Sequence, residues 1–199
     1  MKKNITKEQI VYTALELMRD KNDLRGLNLR EIARTIGCAH TNLYNYFPSY
    51  TDLLWEVHAV LQKKSMEMLA AKLSEVKIAE LKLKYFFDTF LDIYIDNKGW
   101  FRLAWLEYIG DNRPENDIIA TNTASSQLNS YIIEIWEELY GVLLDKEIVH
   151  RILHNTHCYI VGEVSNYIAG RGLIENELEL KNYVVKEAIN ILTLCLRNC

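Results

Sequence analysis

Apolar side chains recur every three or four positions along almost the whole chain, and few breakers interrupt them. This is the pattern of a helical protein. Ile10, Ala14, Leu17 and Met18 define a first helix from about Lys7 to Lys21. It is opened by Thr6 with Gln9 three residues on, a capping-box pair. A polar turn, Asn22–Asn28, contains Gly26. Leu29, Ile32, Ala33 and Ile36 then line one face of a second helix, and Gly37 supplies a residue that closes a helix in a left-handed conformation without steric cost. Ala39, Leu43 and Phe47 follow at i+4 steps, predicting a short third helix with these three facing inward. Ser49 with Asp52 forms a second capping box, and a fourth helix runs on through Leu54, Val57, Leu61, Met68 and Leu69 to about Leu73.

The remainder continues in the same manner. A fifth helix, Ile78 to Asp96, is rich in aromatics. Asn97–Gly99 breaks the pattern before a short sixth helix from Trp100 to Ile109. Gly110–Asn116, with Pro114, is a loop. A seventh helix spans about Asp117 to Leu143, with Leu128, Ile132, Ile135, Trp136 and Leu139 on its buried side. Asp145 caps an eighth that runs to Ala169, Gly170 and Gly172 end it, and a ninth covers about Glu177 to Arg197. The expected fold class is all-α, divided at residue 48: a three-helix helix-turn-helix head at 1–48 and a larger helical domain at 49–199. The helix at 49–73 connects the two.

Packing around Leu43 leaves His40, Thr41, Asn42, Tyr44 and Asn45 outside. These are uncharged hydrogen-bonding groups on a short helix, suited to the donors and acceptors of base edges in a DNA major groove. Ala33, Gly37, Leu43, Tyr44 and Phe47, with Ser49 and Leu53 after them and Ile10 and Ala14 before, resemble the signature of the TetR-type (tetracycline-repressor-like) transcription regulators. The match covers roughly residues 6 to 60. Two positions depart from it. Tyr50 stands where the family usually has Lys, which exchanges a phosphate-seeking charge for a phenol, and Tyr46 stands where it often has His.

The resemblance implies a homodimeric repressor that binds palindromic operator DNA and is released by a small-molecule effector. It implies phosphate contacts from Arg30 and the Tyr44 hydroxyl, and base or nearby backbone contacts from His40, Thr41, Asn42 and Asn45. Tyr46, Tyr50 and Thr51 complete the candidate DNA-contacting set, the last two at the fourth helix start, where free N–H groups and the helix dipole favour a phosphate.

A net charge of −4 seems at odds with that partner until it is divided along the chain. Residues 1–64 carry ten Lys/Arg against seven Asp/Glu, and the rest carries 13 against 20. The head is therefore +3 and the remainder −7, and the local field is what a phosphate meets. With 49% hydrophobic residues, 2 Pro and 8 Gly, the chain can bury a sizeable core. Cys38, Cys158, Cys195 and Cys199 form no C-x-x-C pair, and no secretory segment or long apolar run is present. A cytoplasmic protein with reduced thiols and no membrane partner is expected. Catalytic motifs are missing too, so neither an enzyme nor a cofactor is expected.

The second half offers two further constellations. Aromatics with polar handles, Tyr94, Trp100, Trp105, Tyr108 and Trp136, are candidates for an effector pocket, joined by His154 and His157. His150, His154 and His157 share one helical face at a spacing that can serve a transition metal, although pocket lining or interface bonding suits His154 and His157 better. The last two helices are apolar on more than one face, with Val149, Leu153, Ile160 and Val164 as one stripe of the eighth. A second apolar face asks for a partner. The expected interface is a four-helix bundle, two helices from each subunit. It uses Tyr159, Val161, Gly162, Ser165 and Ile168 of the eighth helix, and Ile189, Leu192 and Leu196 of the ninth. The rival reading is an all-helical small-molecule or metal-binding protein with no DNA-binding role.

Overall fold

The computed structural model describes residues 5–19, 21 and 27–199. Most of the turn expected at Asn22–Asn28, Gly26 included, lies outside the described residues. Among those described there are eight α-helices and one 3-10 helix, and no strand. The α-helices are α1 (Lys7–Arg19), α2 (Leu29–Ile36), α3 (Tyr50–Ser74), α4 (Ala79–Asp96), α5 (Lys98–Trp105), α6 (Glu115–Tyr140), α7 (Lys146–Ile168) and α8 (Glu177–Arg197). The 3-10 helix, His40–Asn45, lies between α2 and α3. No described helix is long and apolar enough to cross a membrane.

The predicted caps form. Thr6 and Gln9 exchange reciprocal bonds at the start of α1, as do Ser49 and Asp52 at the start of α3. The Asp145 carboxylate accepts from the Glu147 and Ile148 amides at the start of α7.

The chain forms two compact units, and their borders differ from the division expected at residue 48. The first comprises Met1–Lys64 and Asn97–Thr121; the second comprises Ser65–Asp96 and Asn122–Cys199. The core of the first joins Ile10, Ala14 and Leu15 of α1, Ile32 and Ala33 of α2, Leu43, Phe47 and the start of α3 to Trp100 and Leu103 of α5. α5 is thus part of the head's own interior. At Gly99 a Cβ would fall 1.7 Å from the Met18 carbonyl oxygen, so only glycine lets α5 approach the end of α1 this closely. That approach delivers the Trp100 Nε1–H to the Leu15 carbonyl at 2.7 Å. The ring is 3% exposed and lies beneath two cations, Lys64 at 4.8 Å and Arg19 at 5.7 Å from its centroid. Arg19 Nε also donates to the Asn97 side-chain oxygen at 2.7 Å.

In the second unit α4, α7 and α8 pack together. Phe86, Phe87 and Leu91 of α4 are fully buried. Val149, Leu153, Ile160 and Val164 of α7 are likewise buried. On α8 the inward stripe is Leu180, Val184, Ala188, Leu192 and Leu196, a strict i+4 series. Leu192 and Leu196, expected at a subunit interface, instead fill this unit's own core at 0% and 4% exposure. The reason is geometric: they continue the face that Leu180 and Val184 begin, and one helix cannot turn that face both inward and outward.

Trp100→Phe keeps the buried ring and removes the bond to Leu15, and is expected to cost about 1 kcal/mol of stability. Trp100→Ala empties the site and is expected to cost about 3–5 kcal/mol. Urea unfolding of both variants measures the difference.

Candidate nucleic-acid interface

Gly37 adopts φ 84°, ψ 41° and donates to the Ala33 and Arg34 carbonyls, ending α2 as its sequence position predicts. The chain then winds as a 3-10 helix instead of the expected α-helix, with Asn42 N–H bonded to Ala39 O at 2.9 Å and Tyr46 N–H to Leu43 O at 3.0 Å. The extended Ala39 leaves a run of only 6 residues, His40–Asn45, and short pieces of this kind are where 3-10 winding is common. Leu43 and Phe47 are buried at 0% and 2%, but Ala39 is exposed, because it is the extended residue that starts the 3-10 turn.

Among the candidate contacts, His40, Thr41, Asn42, Tyr44 and Asn45 are all exposed. Arg30 is exposed in the first turn of α2, where the Asn28 side chain caps the Arg30 and Glu31 amides. Three candidates are placed otherwise. The Tyr50 hydroxyl is buried, with no hydrogen-bond partner among the described residues. Burial, reinforced by the negative charges of Glu31 and Glu107, pushes its pKa up to about 12. It therefore offers nothing to a phosphate in this conformation, because its ring packs against the head's core. Thr51 is half-buried, with its methyl group against Gly110. Tyr46 keeps an exposed ring, but its hydroxyl donates to the Ile5 carbonyl, so its polar end is spent on the start of the chain.

The candidate effector residues fall into both units. Trp100 is the head-core residue described above, which removes it from any pocket lining. Trp105 and Tyr108, also of the first unit, are 41% and 77% exposed, and the Tyr108 hydroxyl bonds Asp111. In the second unit Tyr94 and Trp136 are buried. The three histidines of α7 separate rather than converge. His150 Nδ1 lies 3.2 Å from Asn129 Nδ2, His154 Nε2 lies 3.6 Å from Cys158 Sγ, and the Tyr94 hydroxyl is hydrogen-bonded to His157 Nε2 at 2.6 Å. No group of three His, Cys, Asp or Glu among the described residues is placed to hold a metal ion.

Sequence reasoning missed one polar constellation, in the first unit. The Asp117 carboxylate, fully buried, is held by His58 Nδ1 and Arg113 Nε, each at 2.6 Å. Gln62 Nε2 lies 3.2 Å from His58 Nε2. Burial alone raises the Asp117 pKa, but the bonds from His58 and Arg113 outweigh it and hold the carboxyl below its ordinary value. The only hint in the sequence is the i, i+4 spacing of Arg113 and Asp117.

Burial, with a smaller electrostatic contribution from neighbouring His154, lowers the His157 pKa to about 4, so its imidazole stays neutral beside the Tyr94 hydroxyl. Unfolding lets that ring take a proton below its ordinary pKa of about 6.5. The folded state is therefore favoured fully above about 6.5 and loses stability as pH falls toward 4, at up to roughly 1.4 kcal/mol per unit. Urea midpoints across pH 4–7 are expected to show this slope in the wild type and its loss in His157→Gln.

No family model matches the sequence, and no curated protein matches it. Solved structures do. The transcriptional regulator FadR from Bacillus subtilis, in complex with stearoyl-CoA, is similar with 17% identity and a TM-score of 0.65, over 96% of this chain and 98% of that one. A TetR-family transcriptional regulator from Streptomyces coelicolor gives 16% identity and a TM-score of 0.67, covering 96% of this chain and 82% of that one. A TetR variant from Acinetobacter baumannii in complex with minocycline gives 16% and 0.61, covering 96% of each. These neighbours are regulators rather than enzymes, and the fold of this chain is that of the TetR-family transcriptional regulators.

Proposed function

We propose that this protein is a ligand-responsive transcription regulator of the cytoplasm, acting as a homodimeric repressor that releases palindromic operator DNA when a small molecule binds. The observation that carries this reading is the exposed face of His40, Thr41, Asn42, Tyr44 and Asn45, on a Gly37-closed helix-turn-helix within the basic part of the chain. Phosphates fix the register of such a head through Arg30 and Tyr44, and the amides and hydroxyl read base edges.

The dimer is supported by what α7 and α8 leave outside. Tyr159, Val161, Ser165, Ile168 and Ile189 are half-buried and Gly162 is exposed, while Tyr183 and Leu194 of α8 are 46% and 63% exposed. The Tyr159 hydroxyl is buried without a hydrogen-bond partner among the described residues; its pKa is raised by burial and by Glu163, Tyr183 and Glu187 nearby. A two-fold interface on this face places the two heads on one side of the duplex, one helical turn apart. Effector binding is assigned to the second unit, with Tyr94 and His157 as its polar groups and Trp136 and His154 as further candidates. Ligand then shifts the equilibrium between head spacings that do and do not match the groove.

Selection of duplexes with the purified protein is expected to return a palindrome bound by a dimer. Asn45→Ala should weaken the selected duplex about 5- to 150-fold, the worth of one bidentate base contact, and leave non-specific binding unchanged. A monomer in solution, or no duplex bound at low salt, overturns the reading.

A further inference from the structure

His150 of α7 lies beside Asn129 and Ser125, and His157 is turned to Tyr94. His154 faces outward. It is exposed, and its Nε2 lies 3.6 Å from the Sγ of Cys158, one turn on and exposed as well. Residues at i and i+4 share a helix face and can present two ligands to one ion. The separation is the informative quantity. In a tetrahedral zinc site, with Zn–S about 2.3 Å and Zn–N about 2.05 Å, a sulfur and a nitrogen stand roughly 3.6 Å apart. The pair therefore has the spacing of one edge of such a tetrahedron.

One chain supplies only half of what such an ion needs. No third His, Cys, Asp or Glu joins the pair among the described residues, whereas a closed zinc site takes four ligands. His154 and Cys158 lie near the middle of α7, on the face turned away from its buried stripe of Val149, Thr156, Ile160 and Val164. By helical spacing they share that face with Val161, Gly162 and Ser165 of the interface proposed above. Gly162 follows Cys158 by one further turn, and a Cβ there would meet nothing within 4 Å. A glycine inside a helix costs about 1 kcal/mol against alanine. This chain's own packing does not require it there, but the close approach of a second backbone does. A two-fold pairing is isologous, so the middle of this face meets its own counterpart. In an antiparallel crossing centred between positions 154 and 158, each His154 faces Cys158 of the partner subunit.

Resting on the homodimer reading above, we propose that His154 and Cys158 of two subunits together form a tetrahedral zinc site on the two-fold axis. Four protein ligands leave no open position, so the ion's part is structural and not catalytic. Nitrogen and thiolate donors select zinc over magnesium and calcium, which take oxygen. The two thiols release their protons to solvent and bind as thiolates. Because only the paired state completes the site, the ion ties assembly of the regulator to the supply of zinc. His154 then belongs to the metal, and the effector site keeps Tyr94 and His157 as its polar groups.

The test uses the full-length protein, freed of metal with a chelator and then titrated with Co(II) or Zn(II) alone. Co(II) is expected to bind at about one ion per two chains, with thiolate-to-cobalt charge-transfer absorption and the strong visible bands of a tetrahedral site. Zn(II) should displace it. By linkage, zinc at about 100 times its dissociation constant tightens the dimer about 100-fold in sedimentation equilibrium. Cys158→Ser is expected to lose the charge-transfer band and His154→Ala the tetrahedral pattern, and both lose the effect of zinc on assembly. The Cys195→Ser, Cys199→Ser double variant keeps all three. A wild type that dimerises but binds no Co(II) through thiolate overturns this proposal and leaves the dimer reading standing. So does a band that survives Cys158→Ser, or one ion per chain with no effect of zinc on assembly. A protein that stays monomeric with and without zinc removes the dimer reading itself, and this site with it.

Discussion

The head depends on a contact that its own first 64 residues cannot make. Trp100 arrives from the far side of α4 in sequence, brings its ring within cation–π distance of Arg19 and Lys64, and bonds the Leu15 carbonyl. Gly99 makes the approach possible by presenting no Cβ to the Met18 carbonyl. A buried aromatic of this size is worth several kcal/mol in a small helical unit whose whole stability is of order 10 kcal/mol. Leu103 extends the same insertion. The 3-10 helix shares a core with α1 and α2 through Leu43 and Phe47, so whatever fixes α1 fixes its platform as well. The head is therefore discontinuous in sequence, and α3 and α6 are each unbroken helices with one end in it and the other in the second unit.

Charge within the head follows a related economy. Four of its carboxylates are answered locally: Glu56 by Lys7, Glu31 by Lys21, Glu16 by Lys64, and Asp117 by His58 and Arg113. The exposed pairs each contribute little to stability. Their larger effect is on the field, because a cation next to a carboxylate attracts distant phosphates only weakly.

Local features of the sequence were legible and distant ones were not. Capping boxes at Thr6–Gln9 and Ser49–Asp52 are decided within four residues, and both form. Gly37 ends α2 because one backbone torsion decides it. The five polar side chains left exposed on the recognition element were equally readable, since Leu43 and Phe47 fix the opposite face. Periodicity says that an aromatic is buried, but not against which element. Trp100 consequently read as a pocket candidate when it is head core. The same limit applies to α8, where Ile191 and Leu192 both sit in plausible apolar stripes. Only the packed structure shows that Leu192 continues Leu180, Val184 and Ala188 inward. The 3-10 winding of His40–Asn45 was hidden because i+3 and i+4 spacings fit a six-residue segment almost equally well.

The histidines of α7 show how one helical stripe can serve unlike purposes. Residues at i, i+4 and i+7 lie close along a helix, but each side chain answers to whichever neighbour faces it. His150 turns to Asn129 of α6, His154 to Cys158 on its own helix, and His157 to Tyr94 of α4. A buried imidazole next to Phe90 and Tyr94 is held neutral because its charged form would lose its hydration. Stability alone would favour an apolar side chain at position 157, packed like Ile160 one turn on. A neutral hydrogen-bonding group in that interior makes sense if the second unit must recognise something as well as fold. The same reasoning distinguishes His157 from the purely apolar Phe86 and Phe87, which do nothing there but pack.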